Sequence, residues 1–211
     1  MKRSVLVSCE ESQRVTIALR NEGIEAWSCD ILPPSGGHSE WHLQEDVIPL
    51  LKKDWRALIA FPPCTHLATS GARWFKQKQA DGRQQQGIDF FMAHALAKIP
   101  LICIENPVGI MSTRWREPDQ IVHPWWFGDP FSKRTCLWLK GFPPLKPIID
   151  INDSNIDKGE FVDVGKGRKM AKWYNDAWKL PKEERSKARS KTFPGLAEQM
   201  AKQWKDIILG N

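Results

Sequence analysis

Two residues in this chain have types and settings that suggest chemistry. Cys64 stands in Phe61-Pro62-Pro63-Cys64-Thr65-His66. The prolines fix the backbone and supply no amide donor, and the polar run over residues 65–73 reads as loop. The thiol is expected to be exposed there, with His66 or Arg73 lowering its pKa toward the reactive thiolate. The competing reading is a buried loop cysteine that packs as a small apolar residue. Glu105 directly follows the apolar run Leu101-Ile102-Cys103-Ile104. Desolvation raises a carboxyl pKa, so this position is expected to suit proton donation near neutral pH; a turn or helix cap is the competing role. Asn106 beside it can hold a substrate or the neighbouring loop. The Cys-x-His spacing of Cys64 and His66, with His38 and His42 elsewhere, is too little for a zinc set, and no metal is expected.

These groups need elements to position them. Strands are expected at residues 4–8, 25–29, 56–61, 101–104 and 134–139. Helices are expected at residues 13–21, 47–52, 84–98 and 196–209. Val15, Ala18 and Leu19 share a face of the first, which Gly23 can end; Ile88, Phe91, Met92, Ala95 and Leu96 share a face of the third. Residues 31–39, with Pro33, Pro34, Gly36 and Gly37, read as loop. Strands alternating with helices predict a parallel α/β sheet, Rossmann-like and doubly wound, with helices on both faces. Ligands of such sheets bind at the carboxyl ends of the strands. The residues that break each strand are Glu10 and Glu11, then Asp30, then Pro62-Pro63-Cys64, then Glu105-Asn106-Pro107. In a parallel sheet they converge on one edge, and a collection of carboxylates and a thiol there points to an enzyme.

The 211 residues suit one domain with a small appendage, and 41% hydrophobic residues are enough for a core. No apolar run approaches the roughly 20 residues of a membrane span. The apolar stretch at the N-terminus is too short for a signal peptide and meets Glu10 and Glu11, so it reads as the first strand of a cytoplasmic protein. Five cysteines without a Cys-x-x-Cys pair are not a disulfide framework. A net charge of +6 is a mild bias toward anionic partners. Eleven tryptophans against one tyrosine can stack on bases or simply pack.

Cys64 and Glu105, in that order and each after a strand, resemble the two catalytic motifs of the cytosine-5 DNA methyltransferases. The Pro-Cys motif is here Pro62-Pro63-Cys64, and Glu-Asn-Val is here Glu105-Asn106-Pro107. Over most of its length the chain is similar to the short cytosine methyltransferase-like proteins of phages and prophages. The similar stretches are Cys9-Glu10-Glu11-Ser12-Gln13-Arg14, Trp41-His42 and residues 62–73, 104–109, 132–141 and 191–203. The resemblance implies a class I methyltransferase-like fold, S-adenosylmethionine as cofactor, and a covalent mechanism. The Cys64 thiolate adds to carbon 6 of cytosine while Glu105 protonates ring nitrogen 3. Carbon 5 then attacks the methyl donor, and proton loss releases Cys64. A base within a duplex must first be flipped out. Arg134 is the nearest match to the family's base-contacting arginine, with Lys133 as the alternative; Pro63, Arg73, Asn106 and Thr135 complete the substrate side.

On the cofactor side, Asp30 would bind the ribose hydroxyls, and Asp46 matches the acid that reads the adenine amino group; a helix cap is the competing role for either. Glu10, Glu11, Ser12 and Pro62 complete that side, with Glu10 or Glu11 meeting the amino group of the methionine moiety. Two departures stand out. Residues 8–12 lack the glycines of the family's opening loop, and only residues 150–189 are available where larger members hold a target-recognition region. The chain therefore divides into a catalytic part (1–149), a small insertion able to contact substrate (150–190) and a returning C-terminal helix (191–211). Lys166, Arg168, Lys169, Lys172, Trp173, Tyr174 and Trp178 can touch phosphates and stack bases, or form a solvated appendage. Residues 114–133, with Trp115, Trp125, Trp126, Phe127 and Pro130, can wall a base pocket or pack under the sheet edge. Expected partners are DNA, duplex or single-stranded, or a pyrimidine nucleotide, and no membrane. Three other readings stay open: the same thiol adduct with another acceptor or one-carbon donor, a nucleic-acid-binding protein that has lost catalysis, and an unrelated α/β enzyme using Glu105 or Asp30 as its acid.

Overall fold

The computed structural model describes residues 4–211. Short apolar runs form β1 (Val5–Ser8), β2 (Ala26–Cys29), β3 (His42–Leu43), β4 (Ala57–Ala60), β5 (Leu101–Pro107), β6 (Gln120–Val122) and β7 (Thr135–Lys140). They make one seven-stranded sheet in the order β3-β2-β1-β4-β5-β7-β6. The first five strands pair in parallel. β7 runs antiparallel between β5 and β6, so the sheet is mixed rather than parallel throughout.

Both faces are covered, which is why the central strands read as unbroken apolar runs. Helices α1 (Arg14–Asn21), α2 (Val47–Leu50), α3 (Phe75–Ala80), α4 (Arg83–Ala95) and α5 (Met111–Arg114) follow the strands in turn. After β7 come a hairpin of β8 (Phe161–Asp163) and β9 (Lys169–Ala171), then α6 (Lys172–Ala177), α7 (Lys182–Ser190) and α8 (Pro194–Leu209). On one face Val5, Val7, Ile59 and Cys103 pack with Val15 and Leu19 of α1 and with Met200, Trp204 and Ile208 of α8. On the other, Leu6, Leu58, Ile102 and Ile104 pack with Leu50, Phe91 and Trp138. The final helix thus completes the same core that the first strand begins.

One boundary matters for function. Glu105-Asn106-Pro107 was expected to end the fourth long strand, but β5 continues through it, because β7 pairs Glu105 with Leu137, Asn106 with Cys136 and Pro107 with Thr135. The parallel partner β4 stops at Ala60, opposite Ile104. Glu105 therefore emerges just past the end of β4, where that chain turns into Phe61-Pro62-Pro63-Cys64. The tryptophan-rich stretch 114–133 takes the packing role. It holds β6 and a short turn at Pro124–Phe127, whose Phe127 is buried in the layer with α8. Asp129 accepts from the Gly195 amide at 2.8 Å.

Candidate active site

The loop after β4 is tied down from two sides. Asn106 Nδ2 donates to the Pro62 carbonyl at 2.8 Å and to its neighbour Glu105 O at 3.1 Å. The Leu67 and Ala68 amides close on the Cys64 carbonyl, and Ile110 N donates to Leu67 O at 2.9 Å. Gly109 comes so near that a Cβ would lie 2.4 Å from Leu67 O, a contact only glycine permits. From the helices, buried Lys78 donates to Thr65 O at 2.5 Å and buried Gln84 to His66 O at 3.3 Å. The two residues after Cys64 are thus braced by α3 and α4. Sequence reading missed this pair, since a Lys and a Gln bonded to remote carbonyls leave no periodic signal.

Cys64 is half-buried rather than exposed. Burial pushes its thiol pKa up, and the Glu105 charge adds to that; Lys133 and Arg189 pull it down. The expected activators are not the ones at work. Arg73 is exposed on the turn Thr69–Trp74, its guanidinium 5.1 Å from the Trp74 ring centre. His66 is itself pushed toward the neutral form by burial and by Lys78 and Arg83. Lys133 Nζ lies 3.5 Å from Glu105 Oε1, with side chains 20% and 12% exposed. Arg134 is exposed instead, and its charge acts on His123 and Cys136. Lys133 is thus the cation beside Glu105, whereas Arg134 acts on His123 and Cys136. Asn106 (2% exposed) and Thr135 (1%) are enclosed within the protein and are not presented to a substrate. Pro63 is exposed beside Cys64, and Pro62 is buried beneath it.

The carboxylates of the neighbouring edge divide by role. Glu10 accepts from Val15 N at 2.6 Å, Thr16 N at 3.2 Å and Thr16 Oγ1 at 2.8 Å. Its oxygens accept from the first turn of α1, the capping role, and burial pushes its pKa up to about 7. Glu11 is also buried, yet among the described residues its Oε1 has no partner, and neither has Ser8 Oγ. Asp30 accepts from Leu32 N at 2.9 Å, and its pKa is raised by burial, with the Glu11 charge contributing. Asp46 is exposed and caps α2 through Ile48 N.

The turn between β1 and α1 lacks glycine but not the conformation glycine provides. Cys9 (φ 58°) and Gln13 (φ 57°) take the left-handed region themselves. Gln13 is held there by bonds to Ser28 Oγ, His38 O and His38 N. Ser12, half-buried, borders Gly36, where a Cβ would fall 2.7 Å from Gln13 Cβ. Loop 31–38 thus folds against this turn. A buried carboxylate oxygen without a partner, next to a second carboxylate, suits a ligand carrying an ammonium and hydroxyl groups. S-adenosylmethionine has both, so the residues present fit it.

The strand order with its antiparallel β7, flanked by helices on both faces, defines a Rossmann-like α/β domain of the methyltransferase type. No protein-family model matches the chain, and no curated protein matches it. Among solved structures, it is similar to a candidate DNA modification methyltransferase encoded within a prophage (E. coli), at 17% identity and a TM-score of 0.45, covering 88% of this chain and 68% of that one. No helix among the described residues is long and apolar enough to cross a membrane.

Proposed function

We propose that this chain is a cytosine-5 DNA methyltransferase-type enzyme with Cys64 as its nucleophile. The observation that carries the reading is the grouping of Cys64, Glu105 and Lys133 at the carboxyl ends of β4 and β5. The Cys64 thiolate adds to carbon 6 of the cytosine ring, forming a carbon–sulfur bond, while Glu105 delivers a proton to ring nitrogen 3. Lys133 offsets the negative charge of both groups. S-adenosylmethionine, when bound, supplies an electrophilic methyl group to carbon 5. Loss of the carbon 5 proton to water then forms the carbon 5–carbon 6 double bond, breaks the carbon 6–sulfur bond and returns Cys64 as thiolate, while the nitrogen 3 proton goes back to Glu105. Glu11 would hold the ammonium of the methionine moiety and Asp30 the ribose hydroxyls. Asp46, exposed at the start of α2, would read the adenine amino group.

Two measurements test this. Calorimetry with S-adenosylmethionine should show binding that Glu11→Gln weakens about tenfold or more. Transfer of labelled methyl to cytosine DNA should vanish in Cys64→Ser and fall by about 10²–10⁴ in Glu105→Gln. No binding up to millimolar cofactor would sink the reading. Deoxycytidine monophosphate run as acceptor alongside DNA separates a nucleotide-modifying enzyme from a DNA-modifying one.

A further inference from the structure

We infer that residues 158–191 form a platform for an unpaired DNA strand, with Trp178 as the surface on which a base stacks beside the catalytic edge. The inference rests on the DNA-methyltransferase reading for its choice of DNA. Three observations carry it. The first is charge. Residues 158–191 hold eleven Lys and Arg against five Asp and Glu, a formal +6 that equals the net charge of the whole chain. The rest of the molecule is neutral in sum, so attraction for a polyanion is concentrated in this lobe.

The second is the aromatic surface. Trp178 is 43% exposed. The Arg185 and Arg189 guanidinium groups lie over part of its ring, their carbons 4.9 and 5.4 Å from the ring centre; Arg189 also lies over Tyr174 at 4.3 Å, and the Tyr174 ring meets the indole edge-on. Arg189 donates to the Tyr174 hydroxyl as well. Where this indole is exposed, a base can add to the aromatic–guanidinium stack, with cations close by for its phosphates. Bases inside a duplex have their faces covered by neighbours and present only edges in the grooves. A stacking face therefore selects a strand whose bases are unpaired.

The third is position. The lobe is pinned to the chain just before Lys133: Ser132 Oγ donates to Lys158 O at 2.8 Å, and Trp173 Nε1 to Ser132 O at 3.3 Å. Trp173 packs edge-on against Phe131 and Phe193, turning it inward as an anchor. Arg189, which frames Trp178, also exerts its charge on Cys64. A strand lying along the platform would bring a neighbouring base to the thiol without extraction from a helix.

The test is fluorescence anisotropy of the full chain with a labelled cytosine-containing oligodeoxynucleotide, single-stranded or annealed to its complement, over a range of salt. The single strand should bind about tenfold more tightly than the duplex. Trp178→Leu should weaken single-strand binding about tenfold and leave duplex binding unchanged, while Trp178→Phe, which keeps an aromatic face, should retain most of it. Equal or tighter binding of the duplex, or indifference to Trp178→Leu, overturns the inference; so does tighter binding of the same sequence as RNA. Methyl-transfer assays on both forms separate the two readings. Strand binding through Trp178 without methyl transfer supports the platform and sinks the transferase. Methyl transfer to duplex as fast as to single strand, unaffected by Trp178→Leu, sinks the platform and leaves the transferase standing.

Discussion

A thiol adds to a ring carbon only as thiolate, and Cys64 is held between opposing influences. Burial and Glu105 favour the neutral thiol; Lys133 and Arg189 favour the anion. Alkylation of Cys64 by iodoacetamide should therefore rise with pH through a midpoint above the ordinary thiol value of 9.0, and Lys133→Met should move that midpoint higher still. Mass spectrometry of the Cys64 peptide reads this, and a midpoint below the ordinary value would contradict it. Glu10 makes a second pH-dependent prediction. Its pKa is raised in the fold from 4.5 to about 7, so the native state binds more protons than the unfolded chain between those values. Stability from this group is fully present below pH 4.5 and is lost as pH rises through 7. Relative to Glu10→Gln, the wild-type chain should lose on the order of 3 kcal/mol across that window. Urea titrations at pH 5 and pH 8 check it, and parallel curves for the two proteins would refute it.

At the scale of elements, the loop after β4 is rigid because two other segments close against it. Gly109→Ala would place a methyl carbon 2.4 Å from Leu67 O, where backbone rather than a flexible side chain must yield. A loss of several kcal/mol is expected, seen as a large drop in the melting temperature. Lys78→Met leaves the Thr65 carbonyl without its ammonium partner and should destabilise by about 1–3 kcal/mol. Methyl transfer should fall further than stability accounts for, since the braced residues adjoin Cys64; an unchanged kcat in the folded variant would remove Lys78 from that role. Neither contact is visible in sequence. The apolar runs marked β1, β4 and the start of β5, but nothing local says that β5 continues to Pro107. That extension depends on β7, a partner about thirty residues away along the chain.

For the whole molecule, α8 is the element that completes the core. Met200, Trp204 and Ile208 are fully buried against α1 and the sheet, Trp204 stacks on Phe142 at 4.3 Å, and its Nε1 donates to Pro143 O at 2.9 Å. Arg56, just before β4, donates to the carbonyls of Ile207 and Ile208 at the helix's other end. Trp204→Ala should cost about 3–5 kcal/mol, measured as a shift of the urea midpoint with the slope unchanged. A shift below about 1 kcal/mol would mean that the helix docks independently of the core. The helix is amphipathic in sequence, yet its place on the same face as α1 follows from the order in which the chain winds the sheet.

The residues alone determined the α/β alternation, the apolar strands and the presence of a thiol and carboxylates at their ends, because burial and backbone propensity act over a few positions. They did not determine which charged group faces which. Lys133 and Arg134 are neighbours in sequence, yet one lies beside Glu105 and the other is exposed near His123; Glu10 and Glu11 are neighbours too, one bonded to a helix terminus and the other left with an oxygen unpartnered among the described residues. Those outcomes hinge on which side of an extended segment or turn meets another element, and that is decided only when strands far apart in the chain pair and the layers close.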